Sequence, residues 1–493
     1  MAGTRPRTLR VLHTGAELYP WVKTGGLGDV LAALPPALLT QGIDARVCLP
    51  AFPALLDAFH LTDAVRLATP FAAERVRVAL ATLPGSKIAA YLVDHPPFYD
   101  RPGGPYGGAD GRDWPDNHRR FALLSWVAAA LGTGADPNWR PDIVHGHDWH
   151  AGLAPAYLRA EAEAGRQAAK SVFTVHNLAY QGFFAAGIFP ELSLPPHFFA
   201  IDGIEFFGGL SFLKAALFYA DQLTTVSPTY AREIQTPEFG EALDGLLRAR
   251  GDALTGILNG VDPVVWNPAQ DDALPMSYDI DTAEAGKAAA KAELRRRLHL
   301  YDSAAPVFGV VSRLTPQKGL DLLLPALPDL VAGGDQLALL GSGDRDLEAG
   351  FAAAAETWRG AVGVEIGYDE KLARLLIAGS DVMVIPSRFE PCGLTQLYAL
   401  RYGTLPLVRR TGGLADTVID ATPARLRDKT ATGFMFEPAT AEALAATLEW
   451  AGAQYANKES WRQMTREAMT RDVSWARSAR QYAAMYRELV AGV

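Results

Sequence analysis

The phrase Thr-Gly-Gly-Leu occurs twice in this chain, as Thr24-Gly25-Gly26-Leu27 and as Thr411-Gly412-Gly413-Leu414. Each copy follows an apolar, strand-like run and opens onto a helix-like run. Paired glycines let the backbone turn sharply and let a ligand reach the exposed amides. The first N–H groups of a helix have no partner within it, and the helix dipole adds partial positive charge there. A strand, a glycine loop and a helix in that order suit a phosphate or an oxygen-rich sugar. Two such units near opposite ends constrain the fold to two similar α/β halves offering their loops to one ligand. Two ordinary tight turns are the plainer alternative, since glycine punctuates many loops.

At 493 residues the chain exceeds a single ordinary core, so two or more domains are expected. A net charge of −9 argues against a general nucleic-acid or membrane-surface binder, whose partners demand a basic field. An anionic ligand must then be held by a few local cations. Cys48 and Cys392 cannot form a disulfide framework, and no C-x-x-C zinc spacing occurs. The basic stretch Met1 to Arg10 is followed by no apolar signal core. Pro325, Pro328 and Asp329 interrupt the run Leu320 to Leu330, so no membrane span is expected. The expected setting is the cytoplasm.

Short apolar runs alternate with longer amphipathic stretches almost throughout, the pattern of parallel sheets flanked by helices. Strands are predicted at 9–12, 45–49, 142–145 and 171–175, with helices at 26–41, 117–133 and 150–164. In the second half, 307–311, 337–340, 382–385 and 405–408 are the strand candidates. The Asn-, Pro- and Asp-rich stretch Asn259 to Ser277, ahead of a helix at about 283–299, marks the domain boundary. Domains are therefore expected at 1–262 and 263–471, with a helix in 472–493 crossing back to the first. The Gly-, Pro- and Asp-dense segment Pro96 to Asp116 reads as a functional loop or lid.

Open α/β sheets bind ligands at the carboxyl ends of their strands, and the distinctive residues cluster at such ends. Glu17 and the Lys23-Thr24-Gly25-Gly26 loop follow the first strand. His145-Gly146-His147-Asp148-Trp149-His150 and His176-Asn177 follow two others. The histidine cluster admits three readings: a metal site completed by Asp148, sugar contacts with aromatic stacking, or structural packing. In the second half Arg313 closes one strand, with Lys318 five residues beyond it, and Glu390 follows another. Arg313 and Lys318, with the Gly412-Gly413 loop, could neutralise a diphosphate without a metal. Charge-assisted bonds of that kind contribute roughly 1.5–3 kcal/mol each. Glu390, just before a helix, is either a capping charge or a grip on sugar hydroxyls.

Lys23-Thr24-Gly25-Gly26-Leu27-Gly28-Asp29-Val30, His147-Asp148-Trp149-His150, His176-Asn177, Leu258-Asn259-Gly260-Val261-Asp262, Arg313-Leu314-Thr315-Pro316-Gln317-Lys318-Gly319 and Glu390-Pro391-Cys392-Gly393-Leu394-Thr395-Gln396 resemble bacterial glycogen synthases and plant starch synthases. The match runs collinearly from about residue 9 to residue 489. The resemblance implies a GT-B fold: two Rossmann-like α/β domains with parallel sheets facing a central cleft. It implies retaining transfer of glucose from ADP-glucose to the non-reducing end of an α-1,4-glucan such as glycogen, with no metal or other cofactor. By motif position, Arg313 and Lys318 would hold the diphosphate and stabilise departing ADP. Thr411 and the Gly412 and Gly413 amides would assist at the distal phosphate, and Glu390 would bind the donor glucose. His176 would sit beside the reacting carbon, its backbone carbonyl helping an oxocarbenium-like transition state. Lys23, Gly25, Gly26 and Asp29 would close over the donor, and Tyr368 would stack on the adenine. Asp148, Trp149 and Asn259 would line the sugar and acceptor site, with Tyr106 touching the acceptor glucan.

The chain departs from the Glu-x7-Glu pattern of many retaining GT-B enzymes, carrying Tyr398 at the second position. That is the habit of the glycogen and starch synthase branch, and it removes a carboxylate that would hold the nucleotide ribose. With no carboxylate clearly placed as nucleophile, front-side return is expected. The alternatives are a UDP-glucose-using GT-B glucosyltransferase and a non-catalytic glucan-binding homologue. No nucleic-acid or membrane partner is expected, and no motif sets an oligomeric state.

Overall fold

A computed structural model describes residues 8–492, so Met1–Arg7, most of the basic N-terminal stretch, and Val493 lie outside the described residues. The chain divides into two compact units, 1–259 with 475–493, and 260–474. Each boundary lies three residues from the expected one. The reason is local: the Val261 N–H donates to the Val473 carbonyl at 2.7 Å, and Val261 bridges to Ser474 in parallel. That pairing ties both crossing segments into the second unit.

Unit 1 is built on a nine-stranded sheet. From one edge it runs Leu254–Gly256, Gln222–Thr225, Lys170–Val175, Ile143–His147, Arg10–Thr14, Asp44–Pro50 and Ala89–Asp94, all parallel. The strands Ala72–Thr82 and Thr62–Thr69 then add an antiparallel edge, so the sheet is mixed rather than purely parallel. Its central strands are buried on both faces, as helix-covered parallel strands must be: Val11, Leu12, His13 and Thr14 are all inaccessible. The helix Gly26–Leu39 buries Leu27, Val30, Leu31, Leu34 and Leu38, the i, i+3, i+4, i+7 stripe of a core-facing helix. Trp475–Ala491 belongs to this unit, packing Trp475, Ala479, Tyr482 and Tyr486 on Val30, Leu34, Leu38 and Ile143.

Unit 2 is a six-stranded, wholly parallel sheet. It runs Val362–Ile366, Gln336–Gly343, Val307–Leu314, Val382–Ile385, Leu405–Arg409 and Phe434–Phe436. The first strand in sequence therefore lies between the second and the fourth. Chain connections leave in opposite directions on its two sides, which opens the crevice where such sheets bind ligands. In unit 1 the first strand, Arg10–Thr14, lies likewise between Asp44–Pro50 and Ile143–His147. Among the described residues no helix is long and apolar enough to cross a membrane.

Candidate active site

In unit 2 the switch point is occupied by charge. Arg313, exposed, is the last residue but one of the strand Val307–Leu314, and among the described residues it is paired with no carboxylate. Lys318 Nζ donates to Glu390 Oε2 at 2.6 Å, and the Ser387 hydroxyl donates to the same oxygen at 2.8 Å. Glu390 is 7% exposed, so its charge is balanced chiefly by Lys318. These residues line a cavity of about 180 Å3 whose walls include Val311, Leu320, Ile385 and Gln396. That is smaller than the roughly 300–1,000 Å3 of a whole small-molecule site, so it accommodates part of a larger ligand.

The geometry of this corner requires glycine twice. Gly319 has φ +66 and a Cβ there would meet the Pro386 carbonyl. Gly412 has φ +44 and a Cβ would meet the Glu390 carbonyl. The second glycine loop is thus packed against the backbone that carries Glu390. One consequence corrects the sequence reading. The Gly413 N–H already donates to the carbonyls of Glu390 and Pro391, both at 3.1 Å, so it positions Glu390 rather than waiting for a phosphate. Tyr398, which stands where a second glutamate was absent, stacks on Trp266 with ring centroids 3.6 Å apart. Tyr368 follows the strand Val362–Ile366 and is 80% exposed.

Unit 1 uses its glycine loop differently. Glu17 Oε2 accepts from the backbone N–H groups of Thr24 at 2.8 Å and Gly25 at 3.1 Å. Two amides that the sequence offered to a ligand are therefore taken by a carboxylate of the chain itself. Glu17 Oε1 accepts from the Tyr106 hydroxyl at 2.5 Å, and Tyr106 stacks on His150 with centroids 4.4 Å apart. Burial and the Glu17 charge push the Tyr106 phenol well above its ordinary value. Segment 96–116 is anchored rather than loose. Arg101 holds Asp116 with two bonds, and buried Arg120 donates to the carbonyls of Phe98 and Pro105. Lys23 lies exposed and pairs with Asp29 at 2.9 Å. Burial raises the Asp29 carboxyl, and Lys23 opposes that rise.

Asp148 occupies φ 55, ψ 175, a strained conformation for a non-glycine residue. Its Oδ1 accepts from the His176 N–H at 2.8 Å and from Asn177 at 3.4 Å, fixing the turn that carries His176. Burial raises its carboxyl to about 7. Trp149 packs on Gly182 and among Phe121, His150, Phe184 and Phe212, so core packing accounts for much of its ring. His145 and His147 are fully buried. Direct sugar contact by either, one of the three readings, is thereby excluded. With His13 they form a group whose ligand-type atoms lie within 4.8 Å of one another. Their nitrogens are bonded instead: His145 to the hydroxyls of Tyr486 and Thr174, His147 to His13 and His176. Asn259, at the chain crossing, buries an Oδ1 without a hydrogen-bond partner.

Residues 10–249 match the starch synthase catalytic domain, and residues 292–468 match glycosyl transferases group 1. The chain is 50% identical over 485 residues to a protein described as glycogen synthase from Francisella tularensis subsp. novicida (strain U112), covering 98% of this chain and 99% of that one. The chain belongs to the glycogen and starch synthase family. Glycogen synthase of Francisella philomiragia subsp. philomiragia is equally similar, at 50% identity over 98% of this chain and 100% of its own length. Among solved structures, the catalytic domain of starch synthase IV from Arabidopsis thaliana, bound to ADP and acarbose, matches with TM-score 0.85 and 32% identity. That match covers 98% of this chain and 100% of the other. A sucrose-phosphate synthase from Thermosynechococcus elongatus, at 18% identity and TM-score 0.58, shares the fold. This member of the family is a glycosyltransferase with the GT-B fold, and its activity is glycogen synthesis.

Within this synthase the residues singled out by sequence fall into two groups. Arg313, Lys318, Glu390, Thr411, Gly412, Gly413 and Tyr368 belong to unit 2, whereas Lys23, Gly25, Gly26, Asp29, Tyr106, Asp148, Trp149, His176 and Asn259 belong to unit 1. The residue that sequence reasoning noted without a role is Glu17. A carboxylate seven residues ahead of a glycine loop reads as surface charge until Tyr106 is folded back onto it. Glu17→Ala is expected to free Tyr106 and two loop amides and to lower turnover on the order of tenfold or more, since small displacements of positioning groups cost that much. Steady-state kinetics beside ADP titration checks this: turnover falls while ADP binding is retained. Unchanged turnover would show that the clamp has no part in positioning.

Proposed function

We propose that this synthase takes ADP-glucose as its donor and transfers glucose to the non-reducing 4-OH of an α-1,4-glucan, retaining configuration and needing no metal, in the cytoplasm. The observation that carries this reading is Arg313 at the unit 2 switch point, paired with no carboxylate among the described residues, beside the part-buried Lys318–Glu390 pair. An exposed cation at a strand end, next to a cation already oriented, suits a diphosphate leaving group. The ADP in the Arabidopsis starch synthase structure is in keeping with that ligand class, and its acarbose with a glucan.

In this account Arg313 and Lys318 bear the charge that develops on the leaving diphosphate, and Glu390 accepts from hydroxyls of the donor glucose. Tyr368 stacks on the adenine, and Lys23 and Asp29 complete the donor enclosure. Asp148 and Tyr106 serve the acceptor side. Among the described residues Glu390 is the only acidic one lining the cavity at Arg313 and Lys318, and it is held by Lys318, so no other carboxylate there serves as a nucleophile. The bond from the anomeric carbon to the phosphate oxygen breaks, and the acceptor 4-oxygen bonds to the same face. The departing phosphate takes the proton of that hydroxyl. His176 lies beside the reacting carbon, its carbonyl facing the positive charge.

The test mixes purified protein with glycogen and either ADP-glucose or UDP-glucose, with and without EDTA. Incorporation from ADP-glucose, undiminished by EDTA, is expected. Incorporation from UDP-glucose alone would overturn the donor assignment, and loss in EDTA restored by a divalent cation would overturn metal independence. A trapped covalent glucosyl-enzyme would exclude front-side return.

A further inference from the structure

Three histidines carried by adjacent parallel strands form a continuous line of hydrogen bonds that ends at His176. His13 lies on the strand Arg10–Thr14, His147 ends the neighbouring strand Ile143–His147, and His176 follows the next, Lys170–Val175. His13 Nδ1 lies 3.0 Å from His147 Nε2, and His147 Nδ1 lies 3.0 Å from His176 Nε2. His13 and His147 are fully inaccessible, whereas His176 is partly exposed. Among the described residues the remaining ring nitrogen of His176, Nδ1, has no protein partner, which leaves it to the ligand.

We propose that His13 and His147 are positioning residues that lock the tautomer of His176 with the proton on Nδ1, making that nitrogen a hydrogen-bond donor to a sugar oxygen of the substrate. The role at the sugar rests on the reaction proposed above; the tautomer does not.

Burial holds all three rings neutral: His13 and His176 are depressed to about 3, and His147 lies well below its usual value. A neutral imidazole has one N–H and one lone pair. His147, in the middle, must therefore donate through one nitrogen and accept through the other. Both bonds then run in the same direction, and the end of the line decides which. That end is His13 Nε2, which is buried without any hydrogen-bond partner.

Were the bonds to run toward His13, this nitrogen would carry a proton with no acceptor. The neighbouring rings offer little relief. His145, 5.0 Å from His13 between centroids, has both nitrogens engaged by Tyr486 and Thr174. Tyr486 presents its ring at 6.4 Å and 66°, which allows only a weak N–H···π contact. Buried N–H groups without an acceptor are rarer than under-satisfied acceptors. The dead end is therefore the lone pair, and the bonds run outward: His13 Nδ1–H to His147, then His147 Nδ1–H to His176. His176 accepts at Nε2 and carries its proton on Nδ1. The intrinsic preference of imidazole for Nε2–H acts against this direction and is overridden by the closed end at His13. Fixing one nitrogen through a bond at the other is the usual way a protein selects a histidine tautomer.

Neutron diffraction from deuterium-exchanged crystals of the full chain without ligand reads the result directly. Deuterium is expected on Nδ1 of His13, His147 and His176, and on none of their Nε2 atoms. Deuterium on Nε2 of His176 or His13, or split between the two nitrogens, would overturn the proposal. His147→Asp, read at a pH where its carboxyl is ionised, supplies the complementary test, because an ionised carboxylate can only accept. In that variant nitrogen-15 shifts of labelled histidine should show the His176 proton moved to Nε2. Turnover should fall on the order of a hundredfold, as when one preorganised donor is lost. A reversed tautomer with unchanged turnover would contradict the role at the sugar. If the variant does not fold, the native neutron map still decides. Failure of ADP-glucose transfer would leave the tautomer result intact, so the two readings fail separately.

Discussion

Replacing Lys318 with alanine is expected to lower turnover by on the order of a hundred- to a thousandfold, the usual cost of removing a donor aimed at developing charge. Two effects combine. The ammonium that would meet the leaving phosphate is lost, and Glu390, 7% exposed, is left without the cation at 2.6 Å that balances it. Breaking a buried pair from one side is costly because the other charge stays behind. Glu390→Ala should therefore be similarly damaging, and the double variant should lose far less activity than the product of the two single losses. Residues acting as a unit are not additive. Glucan affinity, measured separately with a maltosaccharide, should change little in Lys318→Ala. A loss below tenfold, or an equal loss of glucan binding, would remove Lys318 from the phosphate site.

The second large effect is on stability against pH. His13, His150 and His176 are depressed to about 3 by burial, and His145 and His147 lie well below their ordinary value for the same cause. An unfolded histidine gains its proton near 6.5. Below that pH the unfolded chain binds up to five protons that the folded one refuses, so stability is lost as pH falls. Asp148 works in the opposite sense. Its folded carboxyl holds a proton up to about 7, whereas an unfolded aspartate releases it near 3.9. Between those values it binds one extra proton in the folded state and offsets one histidine. Each net proton is worth about 1.4 kcal/mol per pH unit, so the five histidines outweigh Asp148 and stability falls as pH drops below 6.5. Urea unfolding followed by hydrogen exchange in unit 1 peptides should show midpoints dropping steeply between pH 7 and pH 5. Midpoints that stay level across that range would mean these rings are not held neutral.

Much of the fold was legible because buried parallel strands are written as short apolar runs with punctuation at their ends. Val307–Leu314, Val382–Ile385 and the helices Gly26–Leu39 and Ala283–Arg297 were placed by that pattern within a few residues. The antiparallel edge of unit 1 was not. Thr62–Thr69 carries Asp63 and Arg66, and Ala72–Thr82 carries Glu74 and Arg75, on exposed positions, so charges interrupt their apolar residues. Gln222–Thr225 and Leu254–Gly256 are too short to show a period. The charges of the site were legible from their place after strands. Their pairing was not, since Lys318 meets Glu390 and His13 meets His147 only after distant segments are brought side by side. The glycine loops show the limit most clearly. Two identical phrases promised two similar cradles, yet Glu17 fills the amides of Thr24 and Gly25, while Gly413 donates to the backbone at Glu390.

That inequality of the two loops is the centre of the account, and a crystal structure of the protein with ADP tests it most directly. The β-phosphate is expected within hydrogen-bond distance of Arg313 and Lys318 in unit 2, with Glu17 still holding the amides of Thr24 and Gly25. A diphosphate seated instead on the Thr24–Gly26 amides, with Glu17 displaced and Arg313 unoccupied, would contradict it.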